Sequence, residues 1–179
     1  MLLRVWIICL FALLSCVMDA ENPKSPGAVH RRTEFAFTVS APFETVAPLF
    51  GADKERLWAD GWNPQFVHPQ PANDEAGAVF TIKTGHSSVW INTIYDLTRG
   101  QVQYACFAGE SMVTLIDIRI ERIGSDKTKA VVVYERTALQ PEANDHVNRL
   151  ADDDKAKGPE WEAAFRTYLQ TRANKAAAK

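Results

Sequence analysis

The residues best able to transfer protons, attack carbonyls or hold metals are thinly spread in this sequence. His30, His68, His86 and His146 are far apart, and none pairs with a Cys, Asp or Glu at metal-ligand spacing. There is no His-Glu-x-x-His, no Cys-x-x-Cys and no Rieske-type pair, so neither a metal site nor a cofactor is expected. Ser87, Ser88 and Ser111 lack the strand-to-helix elbow that makes a serine nucleophilic. The glycines sit singly at turns and form no phosphate cradle. Asp152-Asp153-Asp154 is the most conspicuous acidic group. Adjacent helical positions point in different directions, so this run is expected to be a solvated helix face. Arg119 and Glu121 read as ordinary cross-strand charges.

Aromatic residues are the remaining signal: Trp58, Trp62, Phe66, Phe80, Trp90, Tyr104, Tyr134, Trp161 and Phe165. Each taken alone fills a core. As a set they suit a pocket with apolar walls and a few polar anchors, for which Asn92, Tyr104, Tyr134 and Thr137 are candidates.

The elements that must position these residues are mostly strands. Thr33 to Val39 alternates, with Phe35, Phe37 and Val39 on one side. Pro42 suits a first helical turn, Phe43, Val46, Ala47 and Phe50 follow helical spacing, and Pro48 interrupts it. A second short helix is expected over Asp53 to Ala59. From Gly77 onward, Ala78 to Thr84, Ser88 to Leu97, Val102 to Ala108, Met112 to Ile123 and Ala130 to Leu139 are separated by short turns, which makes them antiparallel. Ile116, Ile118 and Ile120 face one way, and Asp117, Arg119 and Glu121 the other, so one sheet face is wet and the other covered. Strands 88–97 and 130–139 carry apolar groups on both faces, which leaves their inward register open. The cover comes last: Trp161, Phe165, Tyr168 and Leu169 form a helical stripe, and Gly158-Pro159 either kinks one helix or separates two.

The chain has 179 residues, enough for one domain with a proper core. Its net charge of −2 and scattered basic residues do not point to nucleic acid. Arg4 followed by the apolar run Val5 to Met18 reads as an export signal, because such a helix reaches about 21 Å, short of a membrane span. Leu13-Leu14-Ser15-Cys16 resembles a bacterial lipobox, which makes Cys16 a candidate for lipidation; cleavage after Ala20 is the alternative. Either way the expectation is export, to the bacterial periplasm or to a membrane reached only through a lipid anchor. The expected organisation is a signal at 1–20, a linker at 21–31, a domain at 32–172 and a frayed tail at 173–179. Cys106 is then the only thiol certain to belong to the body, and no intramolecular disulfide framework is possible.

A strand, two short helices, a long antiparallel meander and a C-terminal helix are the order of a helix-grip domain. Phe37-Thr38-Val39-Ser40-Ala41-Pro42 and Glu55-Arg56-Leu57-Trp58-Ala59-Asp60-Gly61-Trp62-Asn63-Pro64-Gln65-Phe66 resemble segments of the SRPBCC superfamily, the second resembling a branch of small uncharacterised members. Gly77 to Phe80, Trp90, Tyr95-Asp96 and Tyr134 to Leu139 sit where that branch has similar residues. The superfamily includes START domains, polyketide cyclase-like proteins and the birch-pollen allergen family.

The resemblance implies an α+β helix-grip fold: an antiparallel sheet of about six to seven strands curved around a long C-terminal helix, with two short helices after the first strand. It further implies an internal cavity, with Trp62, Phe66, Phe80, Trp90, Asn92, Tyr104, Ile116, Tyr134, Trp161 and Phe165 as candidate ligand-binding residues. The expected partner is a small hydrophobic molecule, carried or sensed in the cell envelope. A cyclase or dehydratase acting in the same cavity is the alternative, with Tyr104 or Tyr134 as candidates to move protons. A protein-binding module ranks below both, since the outer sheet face carries charge. Such a fold hosts many activities and does not choose between them.

Overall fold

The computed structural model describes residues 27–84 and 86–178. The expected export signal and Cys16 lie outside the described residues. The strands are β1 (His30–Val39), β2 (Gln65–His68), β3 (Val79–Thr84), β4 (His86–Asp96), β5 (Gln101–Ala108), β6 (Met112–Arg122) and β7 (Thr128–Ala138). They form one 7-stranded sheet in the order β1-β7-β6-β5-β4-β3-β2, antiparallel at each pairing. Helix α1 (Phe43–Val46) follows β1, and helices α2 (Asn144–Asp154) and α3 (Lys157–Ala177) close the chain. This is the helix-grip fold.

The alternation that defined the strands also decides what they bury. Phe35, Phe37 and Val39 from β1, Ile116, Ile118 and Ile120 from β6, and Ala130 and Val132 from β7 are all buried on the concave face. Phe165 is the centre of the α3 stripe and is wholly buried. Its ring lies 5.6 Å from that of Phe37 and 4.1 Å from that of Trp58. Burial of such a ring stabilises by about 1.5–3 kcal/mol. The first turn of α3 runs directly against β1: a Cβ at Gly158 would lie 3.0 Å from the Ala36 carbonyl oxygen. Gly158 and Pro159 thus belong to the start of a second helix, and do not kink a single long one.

Several expectations shift. Strand β1 begins at His30, inside the segment read as a linker, because β7 supplies partners as far as Thr137. Helix α3 runs to Ala177, through residues expected to fray, where alanines favour helix. The first short helix holds only Phe43–Val46 as α-helix before Pro48 turns it into a 3-10 segment at Ala47–Leu49. The helix expected over Asp53 to Ala59 is a 3-10 turn at Lys54–Leu57. Strand β2 is an addition that the hydropathy pattern does not signal.

Strand β4 explains its own ambiguous pattern. Asn92 pairs with Tyr104 and Ile94 with Gln103, so Thr93 is an extra residue, a β-bulge. The bulge inverts the alternation. Trp90 and Asn92 turn inward before it and Tyr95 after it, where the Tyr95 hydroxyl donates to the Phe50 carbonyl at 3.4 Å. In β7 the inward set is Ala130, Val132, Tyr134, Arg136 and Ala138.

The acidic run at Asp152-Asp153-Asp154 is only partly a solvated face. Asp152 and Asp153 are exposed, but Asp154 is buried. Arg136 donates from Nε to Asp154 Oδ2 at 2.9 Å and from Nη2 to Oδ1 at 2.7 Å, and Thr33 adds a hydroxyl bond at 3.2 Å. Arg136 also donates to Thr114 Oγ1 at 3.1 Å. The end of α2 is therefore clamped to the concave face of the sheet by a two-pronged ion pair.

Candidate functional site

Between α3, the Lys54–Leu57 turn and the concave face lies a cavity of about 410 Å³. That is within the range of about 300–1,000 Å³ usual for small-molecule sites. Its position follows from the segment 55–62. Glu55, Trp58 and Ala59 share one face of a short turn, which points them all inward. Trp58 Nε1 donates to the Leu49 carbonyl at 2.8 Å and Trp62 Nε1 to the Ala52 carbonyl at 2.8 Å. These two bonds tie the segment to the chain that precedes it. Arg56 donates to the Pro64 carbonyl on the outer side.

Gly51 makes this arrangement possible. Its φ is +125°, and a Cβ there would meet the Asp74 carboxyl at 2.6 Å. Asp74 fits that gap and accepts the Asp53 and Lys54 backbone N–H groups at 2.8 and 3.2 Å, which fixes the start of the 3-10 turn.

The walls are four indoles and two phenols: Trp58, Trp62, Trp90, Trp161, Tyr104 and Tyr134. Ile82, Ile116, Ile118 and Ala164 fill between them, Ser88 adds a hydroxyl, and the exposed Asp60, Gly61 and Glu160 lie at the rim. The rings brace one another edge to face, Trp62 against Trp90 at 5.3 Å and Trp58 against Trp161 at 5.2 Å.

One carboxyl group stands inside this aromatic wall. Glu55 is 4% exposed. Its Oε1 accepts the Tyr104 hydroxyl at 2.9 Å and the Gly51 N–H at 3.3 Å. Oε2 has no partner among the described residues and borders the cavity. Burial pushes the Glu55 pKa up to about 8, against the two hydrogen bonds that favour the anion, and the nearby Asp74 carboxyl adds to the rise. Glu55 is therefore mostly a neutral carboxylic acid at pH 7. Burial also raises the Tyr104 phenol well above its ordinary range, and the Glu55 carboxyl reinforces that. Tyr134 is raised as well, chiefly by burial, and its hydroxyl has no partner among the described residues. The Cys106 thiol is pushed up to about 11 by burial, which leaves it inert.

Of the residues singled out by sequence, Trp62, Trp90, Tyr104, Ile116, Tyr134 and Trp161 line the cavity. Phe80 and Phe165 are wholly buried in the core behind it. Phe66 packs on the Phe80 ring at 5.5 Å from β2. Asn92 is wholly buried at the bulge, where its amide nitrogen serves the Gln103 and Ile94 carbonyls at 2.9 and 2.7 Å. Thr137 bonds the His30 ring on the far side of the sheet. In the sequence Glu55 stands out only as part of the fold-bearing segment 55–66. Its signal was the spacing to Trp58 and Ala59, which places a carboxylate on the apolar side of a turn.

The fold and cavity define a helix-grip protein with an aromatic-walled site. Its solved structural neighbours are of that fold. The chain is similar to truncated norcoclaurine synthase from Thalictrum flavum, with TM-score 0.60 and 13% identity over 83% of this chain and 96% of that one. It is similar to the aromatase/cyclase Zhui from Streptomyces sp. R1128, with TM-score 0.55 and 13% identity over 79% and 95% of the two chains. Ara h 8.0201 aligns with TM-score 0.56 and 13% identity over 79% and 99%. These likenesses concern the fold. No protein-family model matches the sequence, and no curated protein matches it.

Proposed function

We propose that this protein binds a small, largely apolar molecule in the cavity, with Glu55 as the polar group that meets it. The observation that carries this reading is the unpartnered Glu55 Oε2 inside a wall of four indoles. A buried carboxyl group costs several kcal/mol of solvation in its charged form. A ligand that used it would give that cost a purpose. The apolar run Val5 to Met18 supports a carrier or sensor role in the cell envelope, with the molecule exported or tethered there. Native mass spectrometry of the purified protein tests the reading. A co-purified small molecule, or stabilisation by members of a lipid, isoprenoid and aryl-compound panel, is the expected result. A cavity that stays empty, with no thermal shift across the panel, refutes it.

The Glu55–Tyr104 pair favours a second reading, that of a proton-transfer enzyme of the cyclase or dehydratase kind. A neutral acid at pH 7 with a phenol bonded to its other oxygen can give a proton from Oε2 and take it back. If so, a substrate should lose one water or rearrange at constant mass on incubation with the protein, and Glu55→Gln should stop the change. Release of the molecule unaltered refutes the enzymatic reading and leaves the carrier.

A further inference from the structure

We propose that the cavity selects an organic cation, an aryl- or alkylammonium group seated against the tryptophan walls and paired with Glu55. This rests on the reading above that the cavity holds a small apolar molecule, and adds the charge of that molecule.

The first argument is the charge around the cavity. The ionisable acids that line it are Glu55, Asp60 and Glu160, and among the described residues no Lys, Arg or His lines it. One neighbouring cation already offsets the rim acid Glu160, and two others are engaged away from the cavity. Lys157 pairs with Glu160 at 2.7 Å, Arg56 with Asp53 at 3.6 Å, and Arg136 is held by both oxygens of Asp154. The Arg136 guanidinium packs over the Tyr134 ring, 4.5 Å from its centroid, with its charge met by Asp154. Asp60 has no ion pair among the described residues, and neither has Glu55.

The second argument is what the walls offer. The indole N–H groups of Trp58, Trp62 and Trp90 are taken up by Leu49, Ala52 and Ser88. These rings present carbon surface to the cavity and withhold their donors. An anionic ligand would find only the Tyr134 hydroxyl and the Trp161 indole N–H as lining donors without an acceptor among the described residues, and would face a carboxyl group across the cavity. A cation finds indole carbon surface and an open carboxyl oxygen, and aromatic rings with a carboxylate are the combination that recognises quaternary ammonium groups.

The third argument is the state of Glu55 without a ligand. Tyr104 from β5, Asp74 from the loop before β3, Tyr95 from β4 and Tyr134 from β7 are the titratable groups around it, and none supplies a positive charge. Ionisation of Glu55 is unsupported until a cation arrives. Binding should therefore release the Glu55 proton to solvent, and binding should tighten as pH rises from 5.5 to 8.5.

The test is a calorimetric titration of the purified protein with phenyltrimethylammonium and with tert-butylbenzene, its neutral isostere. At pH 8.5 the cation should bind about tenfold or more tightly than the isostere. The preference should shrink at pH 5.5 and in Glu55→Gln. Because the probe carries no titratable proton, titration of the wild type at pH 7 in buffers of different ionisation enthalpy should show a proton leaving the protein, a readout that needs no variant. Equal or tighter binding of the isostere overturns the cation and leaves the cavity reading standing. Absence of binding by either probe removes both. A preference that persists in Glu55→Gln with no proton release overturns the part assigned to Glu55.

Discussion

Replacing Glu55 by Gln should change how stability depends on pH in a calculable way. In the folded protein Glu55 holds its proton up to about pH 8, whereas its ordinary value is 4.5. Below pH 4.5 both states are protonated and the residue makes its full contribution to stability. As pH rises the unfolded chain ionises first, so the folded state binds more protons and its stability falls. The loss continues until pH passes the folded pKa and then stops. One pH unit between the two values corresponds to about 1.4 kcal/mol. The loss is therefore about 3 kcal/mol at pH 7 and about 5 kcal/mol above pH 8. Glutamine keeps an acceptor for Tyr104 and Gly51 and has no charge to bury. Urea unfolding of both proteins at pH 4, 5.5, 7 and 9 would follow the difference between them, in which other titrating groups cancel. The wild type should lose ground to the variant steadily from pH 4.5 to 8. A difference that does not vary with pH would refute the assignment of Glu55 as a buried neutral acid.

Three other substitutions probe the frame around this group. Arg136→Met leaves Asp154 buried without its partner and should cost about 3–5 kcal/mol, measured by urea unfolding; Arg136→Met with Asp154→Leu should recover much of it. Phe165→Ala opens the junction of Phe37, Phe50 and Trp58 and should cost about 3–5 kcal/mol in the same assay. Gly51→Ala forces a side chain into positive φ and into the Asp74 carboxyl, and should cost about 1–3 kcal/mol, with faster amide exchange at Asp53 and Lys54 as the local sign.

Most of the sheet was legible because each long strand buries one face. Ile116, Ile118 and Ile120 declare that without ambiguity, and Trp161 to Leu169 does the same for the helix. Strand β2 was not legible: Gln65-Phe66-Val67-His68 is short, Pro64 and Pro69 flank it, and Val67 is 62% exposed. The inward register of β4 was hidden by a bulge, since one extra residue reverses the alternation that sequence reading depends on. The site was half legible. Aromatic residues on facing elements could be named as walls, but sequence cannot separate rings that border a cavity from Phe80 and Phe165, which lie behind it. Glu55 and Asp154 were missed for one shared reason. A carboxylate on a helical segment reads as solvent-facing, and the partners that hold it out of water, Tyr104 for the first and Arg136 for the second, are distant in sequence.

The placement of the indoles has a further consequence. The chain has 5 tryptophans; Trp6 is in the N-terminal segment, and Trp58, Trp62, Trp90 and Trp161 all border the one cavity. Tryptophan emission from the described residues therefore originates entirely at the site. Ionisation of Glu55 and the arrival of a guest should each alter the emission colour or intensity. Occupancy can then be followed optically, without a label and without knowing beforehand what the guest is.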